Sequence, residues 1–277
     1  MWIPRYWAKG WGEVQHSYNA ELVRTEAWGW SDDSEAAAQR VAEERATRIA
    51  SSLAGDAIPA SWYDYMDRPV REEIVEDRSW GIITRNAQGA LVLNCASAMF
   101  IDVDRFSSKH WFGRFFSGLF DGNKVLRGAP EISLLRSFAA DHKDWCFRVY
   151  KTYAGYRYLV THQQFDPTSE ETHSVMNAVG ADKRYVHLCR GQRCFRARLT
   201  PKPWRCGLES PLHRFPFELD TERSEMRLWL DRYERAISRY ATASLIEVIG
   251  SRVAQKIDEV VQLHDEWCKV GSDLPLA

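Results

Sequence analysis

The chain contains no apolar run near the roughly 20 residues that span a bilayer, and its first residues, Met1-Trp2-Ile3-Pro4-Arg5, lack the apolar core of an export signal. A cytoplasmic protein without a membrane partner is the expectation. There is no internal repeat and no Gly/Ser or Pro-rich linker, so the 277 residues are expected to form one integrated fold. Net charge is nearly absent, at −1. Also missing are Gly-x-Ser-x-Gly, Gly-x-x-x-x-Gly-Lys-Ser/Thr, Gly-x-Gly-x-x-Gly and His-Glu-x-x-His, which removes the commonest serine hydrolases, P-loop enzymes, dinucleotide enzymes and zinc proteases. The six cysteines are scattered through a long chain, and free thiols are expected rather than a disulfide framework.

What is present is 45% apolar, 27% charged and 13% aromatic residues, a globular composition. Periodicity divides the chain into an N-terminal segment of strands and a helix (1–79), an α+β core (80–220) and a C-terminal helical segment (221–277). Glu21–Trp28 reads as a strand. Ser31-Asp32-Asp33-Ser34 offers cap oxygens to a helix with Val41, Ile49 and Leu53 on its apolar face, stopped by Gly55. Strands follow at Gly81–Thr84, Leu91–Asn94 and Ala98–Asp104, then a loop, a helix over Glu131–Ala140, and a hairpin of Phe147–Thr152 and Tyr156–Thr161 about Ala154-Gly155. Asp166 or Ser169 caps a helix ending near Val179. Phe195, Ala197 and Leu199 alternate with Arg196, Arg198 and Thr200 in a strand ended by Pro201 and Pro203. Helices from Thr221 and from Val253 to Cys268 flank a short strand at Ser244–Ile249. This order predicts an α+β fold with a mostly antiparallel sheet, a ferredoxin-like or RNA-recognition-like core and packed helices.

The most informative chemistry lies in Met99-Phe100-Ile101-Asp102-Val103-Asp104. Residues two apart on a strand share a face, so both carboxylates project together about 7 Å apart, an arrangement that repels itself unless Mg²⁺, Mn²⁺ or a basic group lies between them. The alternative is a strand end entering solvent, with Asp102 paired to an arginine.

Two basic elements complement the acids. Residues 183–214 hold nine Lys/Arg and one acid, Glu209, against 37 and 38 in the whole chain. Within this segment Arg190, Arg196, Arg198, Lys202 and Arg205, together with Arg148 and Lys151 of the aromatic hairpin, are candidates for binding a triphosphate or a nucleic-acid backbone. The competing expectation is that these arginines pair with the acidic body of the protein. His187, Cys189, Cys194 and Cys206 form a permissible zinc set, but the spacing lacks a second short pair and disfavours zinc.

An apolar strand ending in Asp102-Val103-Asp104, a hairpin containing Thr152-Tyr153-Ala154-Gly155 and a later Arg-bearing strand together resemble the archaeo-eukaryotic primase (primase-polymerase) superfamily, over residues 80–220. The full chain also resembles a bacterial family that implies no activity. The primase resemblance implies divalent-metal-dependent nucleotidyl transfer, with Asp102 and Asp104 as metal ligands, Val160-Thr161-His162 as a histidine motif touching phosphate, and Leu219-Asp220 as a third acid. Mg²⁺ or Mn²⁺ would be the cofactor, and a nucleoside triphosphate or nucleic acid the partner. A second hypothesis is a non-catalytic module that uses 183–214 to bind nucleic acid or an acidic partner. A third makes Asp102, Asp104 and the arginines an internal ion-pair network.

Overall fold

The computed structural model describes residues 1–16, 18, 21–55, 69–105 and 129–277; most of the loop expected after Asp104 lies outside them. The first unit is an antiparallel hairpin of β1 (Tyr6–Gln15) and β2 (Leu22–Ser31) with α1 (Glu35–Leu53) laid across one face. Ser34 caps α1 as expected, its hydroxyl accepting from the Ala37 N–H at 3.1 Å. The helix faces inward differently from expectation. Its buried stripe is Ala38, Ala42, Ala46 and Ala50, whereas Val41 and Ile49 are half-buried and Leu53 is exposed. The reason is in the hairpin, where a Cβ added at Gly12 or Gly29 would run into the backbone of α1 at Thr47 or Ala42. Only a methyl-wide stripe fits so close an approach.

A four-stranded antiparallel sheet contains β3 (Glu73–Arg78), β4 (Gly81–Arg85), β5 (Leu91–Cys95) and β9 (Phe195–Arg198), in that order. A second contains β6 (Phe100–Asp104), β7 (Phe147–Thr152), β8 (Gly155–Val160) and β10 (Ala243–Ile249), in the order β10-β7-β8-β6. The helices are α2 (Pro130–Asp141), α3 (Glu170–Ala178), α4 (Lys183–Gln192), α5 (Asp220–Ile237) and α6 (Gln255–Trp267). The protein is therefore α+β with antiparallel sheets. In the second sheet β8 lies between β6 and β7, the split β-α-β element, while β10 pairs with β7. A ferredoxin-like order puts the last strand beside the first of the unit instead.

One core serves both sheets. Leu93 and Phe195 from one, Phe100, Phe147, Val149 and Leu159 from the other, and Leu135 and Ile257 from helices belong to a single buried cluster. The facing edges β6 and β9 are stitched by α4: the Tyr185 hydroxyl lies 3.0 Å from both the Phe100 and Arg196 carbonyls and accepts from the Arg196 N–H at 3.2 Å. α4 was not expected, because Lys183, Arg184 and Arg190 read as a basic stretch leading into the next strand; its start is fixed by Asp182, whose carboxylate accepts from the Tyr185 N–H at 2.8 Å. The short strand expected at Ser244–Ile249 is β10, which completes the second sheet beside β7.

Candidate functional site

The end of β6 borders a cleft of about 150 Å³ lined by Asp102, Asp104, Thr152, Arg157, Arg198, Lys202 and Arg205, among others. Two tracts of chain build it. The β7–β8 hairpin brings Arg157 directly opposite Asp102 and Gly155 opposite Asp104, and a side chain at Gly155 would strike the Val103 carbonyl. On the other side β9 ends at Arg198, and after Pro201 a short 3-10 helix, Pro203–Cys206, carries Arg205.

Asp102 is committed to a partner. Arg157 Nε donates to Oδ1 at 2.8 Å and Nη2 approaches Oδ2 at 3.4 Å, with the guanidinium 3% and the carboxylate 40% exposed. The same guanidinium donates from Nη1 to the Arg198 carbonyl at 2.8 Å and faces His264 Nε2 at 3.4 Å. A guanidinium can only donate, so Nε2 accepts and the imidazole proton lies on Nδ1, 3.1 Å from Asp265 Oδ1. Burial keeps His264 below its ordinary pKa even though Asp265 pulls it up. Asp265 in turn accepts from Tyr150 at 2.7 Å and from Arg148. A continuous polar line thus runs from Asp102 at the cleft through the interior to Arg148. The ion pair that sequence offered as an alternative for Asp102 is present.

Arg198, Lys202 and Arg205 differ from Arg157, for none of them is ion-paired with a described carboxylate, and Arg198 Nε is buried without a hydrogen-bond partner. Burial is the first cause that lowers the pKa of each; Arg157 and Arg205 add to it at Arg198 against Asp102, and Arg198 and Arg205 add to it at Lys202 against Asp104. Arg205 thus bears on both Arg198 and Lys202, and at Lys202 the two neighbouring cations outweigh the one acid. Asp104 is shifted the other way: burial, then Asp182 and Asp102, raise it, and Lys202 pulls it back. The lining holds Arg157, Arg198, Lys202 and Arg205 against Asp102 and Asp104.

The remaining expected residues lie outside the lining. Arg196, one strand face with Arg198, is held by both oxygens of Glu72 at 2.7 and 2.6 Å in an internal ion pair. Arg190 pairs with Glu170 at the surface, 3.2 Å away, and Lys151 is exposed on β7. His162 is 5% exposed, packed on Trp145 and Phe165 at 4.7 and 5.7 Å between ring centroids, with Nδ1 accepting from the Cys146 N–H. It is a core histidine. Asp220 is an exposed acid in the first turn of α5. Cys189 belongs to the main core and Cys206 to a separate small cluster with Ala236, so His187, Cys189, Cys194 and Cys206 are not gathered as a zinc set. Among the described residues no three His, Cys, Asp or Glu side chains come together as metal ligands.

Sequence reasoning missed Arg157 and Asp182 as members of this neighbourhood. Arg157 had a signal, an arginine between Tyr156 and Tyr158 on a strand buried on both faces, where only a paired guanidinium is tolerable. Asp182 had none, since its place follows from α4 alone. No family model matches this chain, and no curated protein and no solved structure matches it.

Proposed function

We propose that the cleft binds the phosphate groups of a nucleotide or nucleic-acid ligand through Arg198, Lys202 and Arg205. The observation that carries this reading is the largely buried Arg198 guanidinium lining the cleft, its Nε without a hydrogen-bond partner among the described residues, beside two further cations that are not ion-paired with any described carboxylate. A mostly buried guanidinium without a carboxylate is costly, and an anion supplied from outside relieves both the desolvation and the mutual repulsion. Asp102 anchors Arg157 in this reading, so that the wall of the cleft is rigid.

A second reading, metal-dependent nucleotidyl transfer, is favoured by one feature, the Asp104 carboxyl at the cleft, whose pKa burial raises first and the neighbouring Asp182 and Asp102 raise further. Mg²⁺ at phosphate sites is commonly held by one or two carboxylates plus the phosphates themselves, so Asp104 with Asp102 fits a cation that arrives with its ligand better than a prebuilt metal cage. Such a cation would neutralise phosphate charge. Asp102 then serves two masters, and Arg157 competes for its oxygens.

Thermal unfolding separates the readings. Tripolyphosphate at 100 times its dissociation constant stabilises a binding protein by about 2.7 kcal/mol, and the shift falls as salt rises if phosphate contacts dominate. A shift without added metal supports the first reading, a shift requiring Mg²⁺ or Mn²⁺ supports the second, and no shift with any polyphosphate or oligonucleotide rejects both.

A further inference from the structure

We infer that the ligand carries a nucleobase, and that Tyr153 and Trp204 at the rim of the cleft are the surfaces on which it stacks. This rests on the phosphate-binding reading and adds to it the part of the ligand that lies outside the cleft. Tyr153 stands in the β7–β8 turn between Thr152 and Ala154, both of which line the cleft, and is 54% exposed. Trp204 stands in the 3-10 helix between Pro203 and Arg205 and is 49% exposed.

Each ring is tied to a cation of the cleft. The Arg205 guanidinium lies 4.2 Å from the Tyr153 ring centroid, and Lys202 Nζ lies 5.2 Å from that of Trp204. One side chain of each pair lines the cleft while the other presents an aromatic surface to solvent. A cation over one face of a ring fixes the ring and leaves the rest of its surface for another flat group. The cleft volume, about 150 Å³, is well below the roughly 300–1,000 Å³ of pockets that enclose a drug-sized ligand. It holds phosphate and leaves sugar and base outside, over this rim. Free phosphate or an acidic peptide has no use for two exposed rings so placed; a nucleoside phosphate does, because every base offers a π face.

The test compares ATP and UTP with inorganic tripolyphosphate by titration calorimetry on wild type, Tyr153→Ala, Trp204→Ala and the double variant, with Tyr153→Phe and Trp204→Phe as ring-preserving controls. The expected result is that wild type binds both nucleotides about tenfold or more tighter than tripolyphosphate. The double alanine variant should lose that preference and keep its tripolyphosphate affinity, with both phenylalanine variants close to wild type. Equal wild-type affinity for nucleotides and tripolyphosphate overturns the inference and leaves the phosphate site standing. Loss of tripolyphosphate binding in the alanine variants also overturns it, since the rings would then act only by positioning Lys202 and Arg205. No binding of any of these ligands to wild type removes the phosphate reading together with the inference.

Discussion

Arg157 closes on Asp102 straight across the β6–β8 register, with Nε 2.8 Å from Oδ1, and the same guanidinium faces a neutral His264 on its inner side. The carboxylate that sequence put forward as a metal ligand is also the counter-charge of a buried arginine. Removing it leaves that arginine with a carbonyl and an imidazole for partners. Asp102→Asn should therefore cost about 3 kcal/mol, at the low end for breaking a buried pair because the carboxylate is 40% exposed. Asp104→Asn should cost under about 1 kcal/mol, as an exposed residue without an ion pair among the described residues. Chemical denaturation of both variants checks the contrast, and equal stability of the two would contradict the role given to the pair.

The cations of the cleft should behave in the opposite sense. Neutralising Lys202 or Arg205 relieves repulsion at Arg198 or Lys202 and breaks no ion pair among the described residues, so Lys202→Gln and Arg205→Gln should stay within about 0.5 kcal/mol of wild type or gain stability. Their affinity for tripolyphosphate should fall about tenfold each, the value of one charge-assisted contact. Melting and calorimetry on the same samples read both quantities. A variant that loses stability and binding together would mark a structural role.

At the N-terminal unit the packing of α1 predicts an asymmetry between small and large residues. Gly29→Ala should destabilise by about 1–3 kcal/mol, because its new methyl meets the backbone of α1 at Ala42 and Ala38. Leu53→Ala, at an exposed position, should change stability by less than about 0.5 kcal/mol. Denaturant titration decides; a costly Leu53→Ala would restore the apolar face read from sequence.

The pH dependence follows from the histidines. Burial first, then Arg252 at His162 and Arg157 at His264, holds both below the ordinary imidazole range. As pH falls through about 6.5 the unfolded chain takes up protons that the folded chain refuses, so stability is whole above that pH and declines below it. Asp265, also held low, adds a contribution that is present above the ordinary carboxylate pKa and is lost on further acidification. The melting temperature should drop between pH 7 and pH 5, and His264→Gln should flatten the slope. A melting temperature that rises toward pH 5 contradicts this account.

Local pattern was enough for most elements. Four apolar residues made Phe100–Asp104 a strand, the Ser31–Ser34 run and the pair Asp166 or Ser169 marked helix starts that the structure assigns to Ser34 and Ser169, and Gly155 marked the hairpin, because capping, turn formation and alternation depend on residues within a few positions of one another. Two local patterns misled. The basic run at 183–192 concealed α4, whose start depends on the Asp182 cap, and α1 turned its alanines inward because glycines of the distant hairpin admit the helix so closely.

The partners of the charged side chains belong to tertiary structure. Arg196 and Arg198 share one face of one short strand and look equivalent in sequence, yet Arg196 meets Glu72 and Arg198 lines the cleft with no carboxylate partner among the described residues. Sequence fixed the alternation that puts both on that face. Which of them is neutralised depends on where residues more than a hundred positions away are brought by the sheet, and an ion pair acts over a few ångströms of space with no regard to separation along the chain. The acidic pair divides in the same way: strand periodicity made Asp102 and Asp104 neighbours, and the register of β8, which sets Arg157 opposite one and a glycine opposite the other, decided that Asp102 is held while Asp104 stays open.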